Sequence, residues 1–190
     1  TDFVVMPRFW VAETEIAKTG LSAVGTLVYK NVTSATNQRT MIAAFLPHAA
    51  YVDSINIATF DDGTGLRRRC CLLANLNAFI YDYVARQKVG GLHLSHFIVE
   101  QLPTRGPEHY EKKCPWDKKA TLEKWISERV LRLTCTANDM RPLAEAIARA
   151  VPSSVRARER KAASPRRCGR PVESAISANM MVTVSAGSPP

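Results

Sequence analysis

At 190 residues the chain fits one domain with tails, and 46% of it is apolar, enough for a true core. The net charge is +9, but seven Lys/Arg against two Asp/Glu fall after residue 152, leaving 19 against 15 before it. That mild excess permits nucleic-acid binding without establishing it, and no apolar run is long enough to span a bilayer. The five cysteines, Cys70, Cys71, Cys114, Cys135 and Cys168, are odd in number and show neither C-x-x-C nor zinc spacing. They read as free thiols of a reducing cytoplasm.

In chain order, 2–13 (DFVVMPRFWVAE) is expected to be a strand or an extended opening segment, with Arg8 among aromatics. Residues 12–19 suit a short helix ended by Gly20, and 22–32 are β-rich through Val24, Leu27, Val28, Tyr29 and Val32. Residues 33–39 (TSATNQR) form a polar loop. Hydroxyl and amide side chains there suit turn chemistry. They equally suit a loop that touches phosphates or base edges. Residues 40–46 read as a buried strand stopped by Pro47, and 51–60 as a further strand. Arg67, Arg68 and Arg69 lead into the central stretch, where three cations oppose the helix dipole and hint at an anionic partner.

The chain is organised around 72–103 (LLANLNAFIYDYVARQKVGGLHLSHFIVEQLP). Leu72, Leu73, Leu76, Phe79, Ile80, Tyr83 and Val84 recur in steps of three and four and predict one apolar helical face. Asn75, Asn77, Asp82 and Arg86 fall mainly on the other face. Gly90 and Gly91 are expected to end the helix in a left-handed turn, and 92–102 to run extended. Arg86, Gln87, Lys88, His93, Ser95 and His96 would then crowd one corner. After a polar linker, 104–113, which Trp116 would anchor, Asp117 is expected to cap a helix over 118–133. Asn138 or Asp139 would cap a last helix over 140–151, with Pro142 tolerated in its first turn. Beyond Pro152 Ser, Ala, Pro and Arg dominate without periodicity, which predicts a disordered basic tail over 152–190. The fold class expected is α+β: a small mixed or antiparallel sheet packed with a long central helix and C-terminal helices, in a domain over 1–151.

Catalytic signatures are missing. There is no G-x-G-x-x-G, P-loop, G-x-S-x-G or Asn/Asp-Pro-Pro-aromatic tetrapeptide, and no glycine-rich strand–turn suited to S-adenosylmethionine. His93 and His96, three apart in an extended segment, would make a poor metal pair. Asp61-Asp62 beside Gly63 lacks calcium-loop spacing.

Three stretches taken together carry a family resemblance: MPRFWVAE at 6–13, NVTSATNQRTMIAAFLP at 31–47, and the central 72–103. They resemble the C-terminal target-recognition domain of type II restriction–modification adenine-N6 DNA methyltransferases and, more distantly, type I specificity subunits. The similarity runs from about Phe3 to about Leu143. Pro7-Arg8-Phe9-Trp10 resembles the family's first motif. In the second, Thr36-Asn37 and Arg39-Thr40 match, with Gln38 where Glu is usual and Lys30-Asn31 where the family has Arg-Asp. In the third, Leu76-Asn77-Ala78-Phe79, Lys88-Val89-Gly90-Gly91, His93 and Gln101-Leu102-Pro103 match.

The resemblance implies a double-stranded-DNA recognition module whose catalytic domain lies elsewhere in the same parent polypeptide. That domain would bind S-adenosylmethionine and methylate a flipped adenine; no cofactor is expected in this chain. Arg86 and Lys88 are the expected phosphate contacts. Thr36, Asn37, Arg39 and His93 are the expected base readers, and Arg8 is a further basic contact. Three rivals stand beside this: a subunit-docking module using the apolar face of the central helix, an enzyme using His93 or His96, and an inactive truncated fragment. The start at Thr1 and the altered composition after Ala150 suggest a fragment with a truncated or frameshifted end.

Overall fold

A computed structural model describes residues 10–61 and 63–150. The α+β class holds, with a three-stranded antiparallel sheet, a two-stranded hairpin and seven helices among the described residues. Arg8 and most of the opening segment lie outside those residues, as does the tail from 151.

Helix α1 (Glu13–Ala17) stops at Lys18, earlier than expected, and Gly20, at φ 67°, closes the turn that follows in the left-handed region. Strand β1 (Thr26–Lys30) is the middle of the sheet, between β2 (Ala43–Leu46) and β3 (Ile55–Ile57). Thr26 pairs with Leu46 and Tyr29 with Ala43 on one side; Val28 pairs with Ile57 on the other. Being central, β1 is buried over four of its five residues. Leu27, Tyr29, Ala43 and Phe45 join the core under the helices. Gly25, at φ 130°, leads into β1 where a Cβ would stand 3.2 Å from the Leu46 carbonyl oxygen.

The strand expected over 40–46 pairs with β1 only from Ala43. The N–H groups of Thr40 and Met41 turn instead to the carboxylate of Asp82, at 2.8 and 2.7 Å. Of 51–60, only Ile55–Ile57 is a strand.

The central stretch departs furthest from expectation. It is two helices, α2 (Leu66–Leu76) and α3 (Phe79–Lys88), separated by Asn77 and an extended Ala78 (φ −67°, ψ 142°). The break resets the helical phase. Leu73 and Leu76 bury as expected, but Phe79, Ile80 and Tyr83 are 81, 77 and 64% exposed. Tyr81, Asp82 and Ala85 go inward in their place. Asn77 and Asp82, expected on the solvent face, are the polar residues that fasten the helices to β2 and to the segment just before it. The three arginines sit inside the first turn of α2, not ahead of it. Arg68 pairs with Glu111 at 3.0 Å, and Arg69 donates to the Thr64 carbonyl and lies over the Phe60 ring.

Two further expectations fail between residues 90 and 102. Neither Gly90 nor Gly91 has a positive φ; α3 stops because Val89 is already extended. The segment after them is not a strand. It makes one bridge, Val32 to His93, and then turns into α4 (His96–Glu100). Leu94, Ile98 and Leu102, spaced by four, face inward from this turn.

The C-terminal part is helical as expected, with different caps. After α5 (Pro107–Tyr110), strands β4 (Lys113–Cys114) and β5 (Asp117–Thr121) form a hairpin around Pro115-Trp116. Asp117 therefore starts a strand. The cap of α6 (Leu122–Thr134) is Thr121, whose Oγ1 accepts from the Lys124 N–H. Trp116 remains largely exposed and meets Trp125 edge-on at 5.0 Å. A 3-10 turn at Asn138–Met140 introduces α7 (Arg141–Arg149), with Pro142 in its first turn as expected. Helix α2 lies along α6, and α7 closes the core with Leu143 and Ile147.

Cys70, Cys71, Cys114 and Cys135 are all free thiols, the first three buried. Burial pushes Cys70 and Cys71 up to about 12, with help at Cys70 from its neighbour thiols and at Cys71 from Glu123. Among the described residues no helix is long and apolar enough to cross a membrane.

Candidate nucleic-acid interface

The polar loop expected to touch DNA is built largely by its own side chains. Thr33 Oγ1 donates to the Thr40 carbonyl at 2.9 Å, and Thr40 Oγ1 donates to the Ser34 carbonyl at 3.0 Å. Asn37 Nδ2 donates to Thr33 Oγ1, and Ser34 Oγ lies 2.7 Å from Thr36 Oγ1. The loop is therefore a fixed turn. Thr36 and Gln38 remain exposed on its rim, and the Gln38 amide makes no side-chain hydrogen bond to another described residue.

Behind the rim lies one buried carboxylate, Asp82. Its Oδ1 accepts the two backbone bonds from Thr40 and Met41. Its Oδ2 takes Arg86 Nη2 at 3.2 Å, and Arg39 Nε stands 3.4 Å from Oδ1 without hydrogen-bond alignment. Burial would raise the Asp82 pKa. The bonds from Met41, Arg86 and Thr40, with the Arg39 charge, outweigh burial and hold it below the usual carboxylate value.

Both arginines have second duties. Arg86 also donates to the Gln38 carbonyl at 3.0 Å. Arg39 donates to the Asn77 carbonyl at 2.9 Å and lies over the Phe79 ring. The Asn77 amide in turn pairs with both backbone groups of Ala43, donating at 2.8 Å and accepting at 3.1 Å. Asn77 thus acts as one extra residue of sheet pairing beside β2.

The segment after α3 is fastened to the start of the loop. Thr33 N–H donates to the Leu92 carbonyl at 2.9 Å and Leu94 N–H to the Asn31 carbonyl at 2.8 Å, flanking the Val32–His93 bridge. Asn56 Nδ2 adds a bond to the Leu94 carbonyl. Lys88, Gly90, Gly91 and His93 are exposed here. A Cβ on either glycine would meet nothing within 4 Å, so the backbone stands open to a large partner.

Of the residues singled out from sequence, Arg39 and Arg86 come together on Asp82. Thr36, Lys88 and His93 lie around them on the rim, and Asn37 is spent inside the loop. Lys30, at the end of β1, is exposed and alternates with the core-facing Leu27 and Tyr29. Sequence reasoning missed Asp82 and Asn77 as structural ties. The four-residue step from Asp82 to Arg86 was the available signal, since such pairs meet on a helix. Among the described residues no cluster of His, Cys, Asp or Glu could hold a metal. No family model, curated protein or solved structure matches the chain.

Proposed function

We propose that the chain is a sequence-specific DNA recognition module of an adenine-N6 DNA methyltransferase or restriction–modification enzyme. The methyl donor S-adenosylmethionine and the chemistry would belong to a catalytic domain of the parent polypeptide, working in the cytoplasm. One observation carries this reading. Two segments far apart in sequence, 33–40 and 86–93, are locked together by backbone and arginine bonds. The product is one backbone-fixed surface presenting Thr36, Gln38, Lys88 and His93.

Fixed donors and acceptors of this kind suit base-edge reading, which needs positioned groups, whereas a mobile lysine serves phosphate. In this reading Lys88 holds phosphate. Thr36, Gln38 and His93 meet base edges. Arg86 gives phosphate only what Asp82 and Gln38 leave free. Arg39 acts through position: it sets the loop and the Phe79 ring, so Arg39→Ala relaxes site choice by disordering its neighbours.

The test is duplex binding by the full chain against salt. Affinity should fall steeply with salt, and Lys88→Ala should reduce the slope by about one phosphate contact. A folded chain that binds no duplex at low salt defeats the reading. A second reading, docking onto a protein subunit, is favoured by one feature: Phe79, Ile80 and Tyr83 lie exposed on one side of α3. Salt-insensitive association with a methyltransferase subunit, lost in Phe79→Ser, would select it.

A further inference from the structure

A cavity of about 370 Å³ opens on the other side of α2, between α5, α6 and the β4–β5 hairpin. Its volume falls at the low end of the roughly 300–1,000 Å³ of sites that take small molecules. The lining is mixed in a particular way. Ile126 contributes an apolar wall, and Tyr110 and Trp116 contribute aromatic rings. Asn75, Arg105 and His109 contribute polar groups.

The polar groups here are idle, unlike those around Asp82. None of Asn75, Arg105, His109 and Tyr110 makes a side-chain hydrogen bond to another described residue, and Asn75 Nδ2 is a buried donor without a partner. Burial, and then Cys71, push the Tyr110 hydroxyl up, while the Arg105 charge works the other way, which places the guanidinium near the phenol. Arg105 has no acidic partner among the described residues.

Trp116 is 63% exposed yet held in place by its edge contact with Trp125, whose ring is covered by Arg129 at 3.4 Å. It offers a fixed, open π-face. The same hairpin exposes Lys112, Lys113, Lys118 and Lys119, none in an ion pair with another described residue. The one acid between them, Asp117, accepts the Lys119 N–H.

We propose that this cavity binds an unstacked nucleotide, its base against Trp116 and Tyr110 and its phosphate on Arg105 and the hairpin lysines. Aromatic faces take any base by stacking, and cations hold the phosphate, which is the pairing that single-strand sites use. Asn75 and His109 supply the hydrogen bonds a base edge would need. A free nucleotide and a nucleotide within a strand share the chemistry this cavity recognises, a planar base with a phosphate. The site is separate from the duplex surface and does not depend on it.

The experiment uses the full chain with three probes: a short single-stranded oligonucleotide, a mononucleotide and a blunt duplex. Tryptophan fluorescence reports binding. Trp116→Ala and Arg105→Ala, shown to be folded by circular dichroism, should each weaken the single strand about tenfold or more, while Lys88→Ala should not. Arg105 is exposed and without a partner, so that variant keeps the test valid if Trp116→Ala misfolds. A mononucleotide bound and lost in the same variants identifies a free nucleotide; binding of the strand alone identifies nucleic acid. Single-strand binding unchanged in both variants, or no binding of strand or mononucleotide by the folded parent, overturns the proposal. Duplex binding sensitive only to Lys88 would survive that failure.

Discussion

Asp82 concentrates most of the order around the candidate interface. It satisfies two buried N–H groups, hydrogen-bonds the Arg86 guanidinium and faces the charge of Arg39. Asp82→Ala should cost about 3 kcal/mol in urea unfolding, since removing one member of a buried network strands the others. The pH dependence has a fixed sign. A depressed folded pKa adds stability that is present above the unfolded value of 3.8 and is lost as pH falls through the folded value. The gap between parent and Asp82→Asn should therefore narrow on acidification from about pH 4 downward, and stay level from pH 5 to 8. Lys88 offers the contrast: it is exposed and makes no ion pair with another described residue, so its loss should leave stability within about 0.5 kcal/mol. Sequence reading found Arg39, Arg86 and Lys88 by type and spacing. It could not separate the two that are spent on Asp82 from the one that is free, because that depends on a carboxylate some forty residues from Thr40.

At the scale of elements, the helix faces and strands that follow local rules were legible. Leu27 and Tyr29 mark β1, and Pro142 marks the first turn of α7. The misses share one cause, a long-range bond overriding local pattern. Asn77 leaves the helix because its amide pairs with Ala43, and that shifts Phe79, Ile80 and Tyr83 outward. Asn77→Ala should cost about 1–2 kcal/mol through the two lost bonds and the stranded Ala43 groups. Phe79→Ser, by contrast, should hardly change the unfolding midpoint, since the ring is 81% exposed. Thr121 was overlooked for Asp117 because both are good capping residues and only the hairpin decides between them. Thr121→Ala should shorten or fray α6 and cost about 1 kcal/mol.

Across the whole molecule, the sheet, α2, α6 and α7 share one core; Cys70 sits within it, and Cys71 is buried beside the cavity between α2 and α6. With thiols pushed up to about 12, they hold almost no thiolate at neutral pH. Labelling by a thiol reagent at pH 8 should be slow in the native state and should rise in step with global unfolding in urea. Rapid labelling of both without urea would mean that α2 opens from α6 independently.

The bonds of Asp82 and Asn77 to residues 40–43 also bear on how the chain folds. They join residues 34 to 42 positions apart, so neither can form until a long loop has closed. Residues that gain their partners only after closure contribute little to the folding transition state. Weakening this junction should then leave the refolding rate almost untouched and speed unfolding, shortening the lifetime of the native surface.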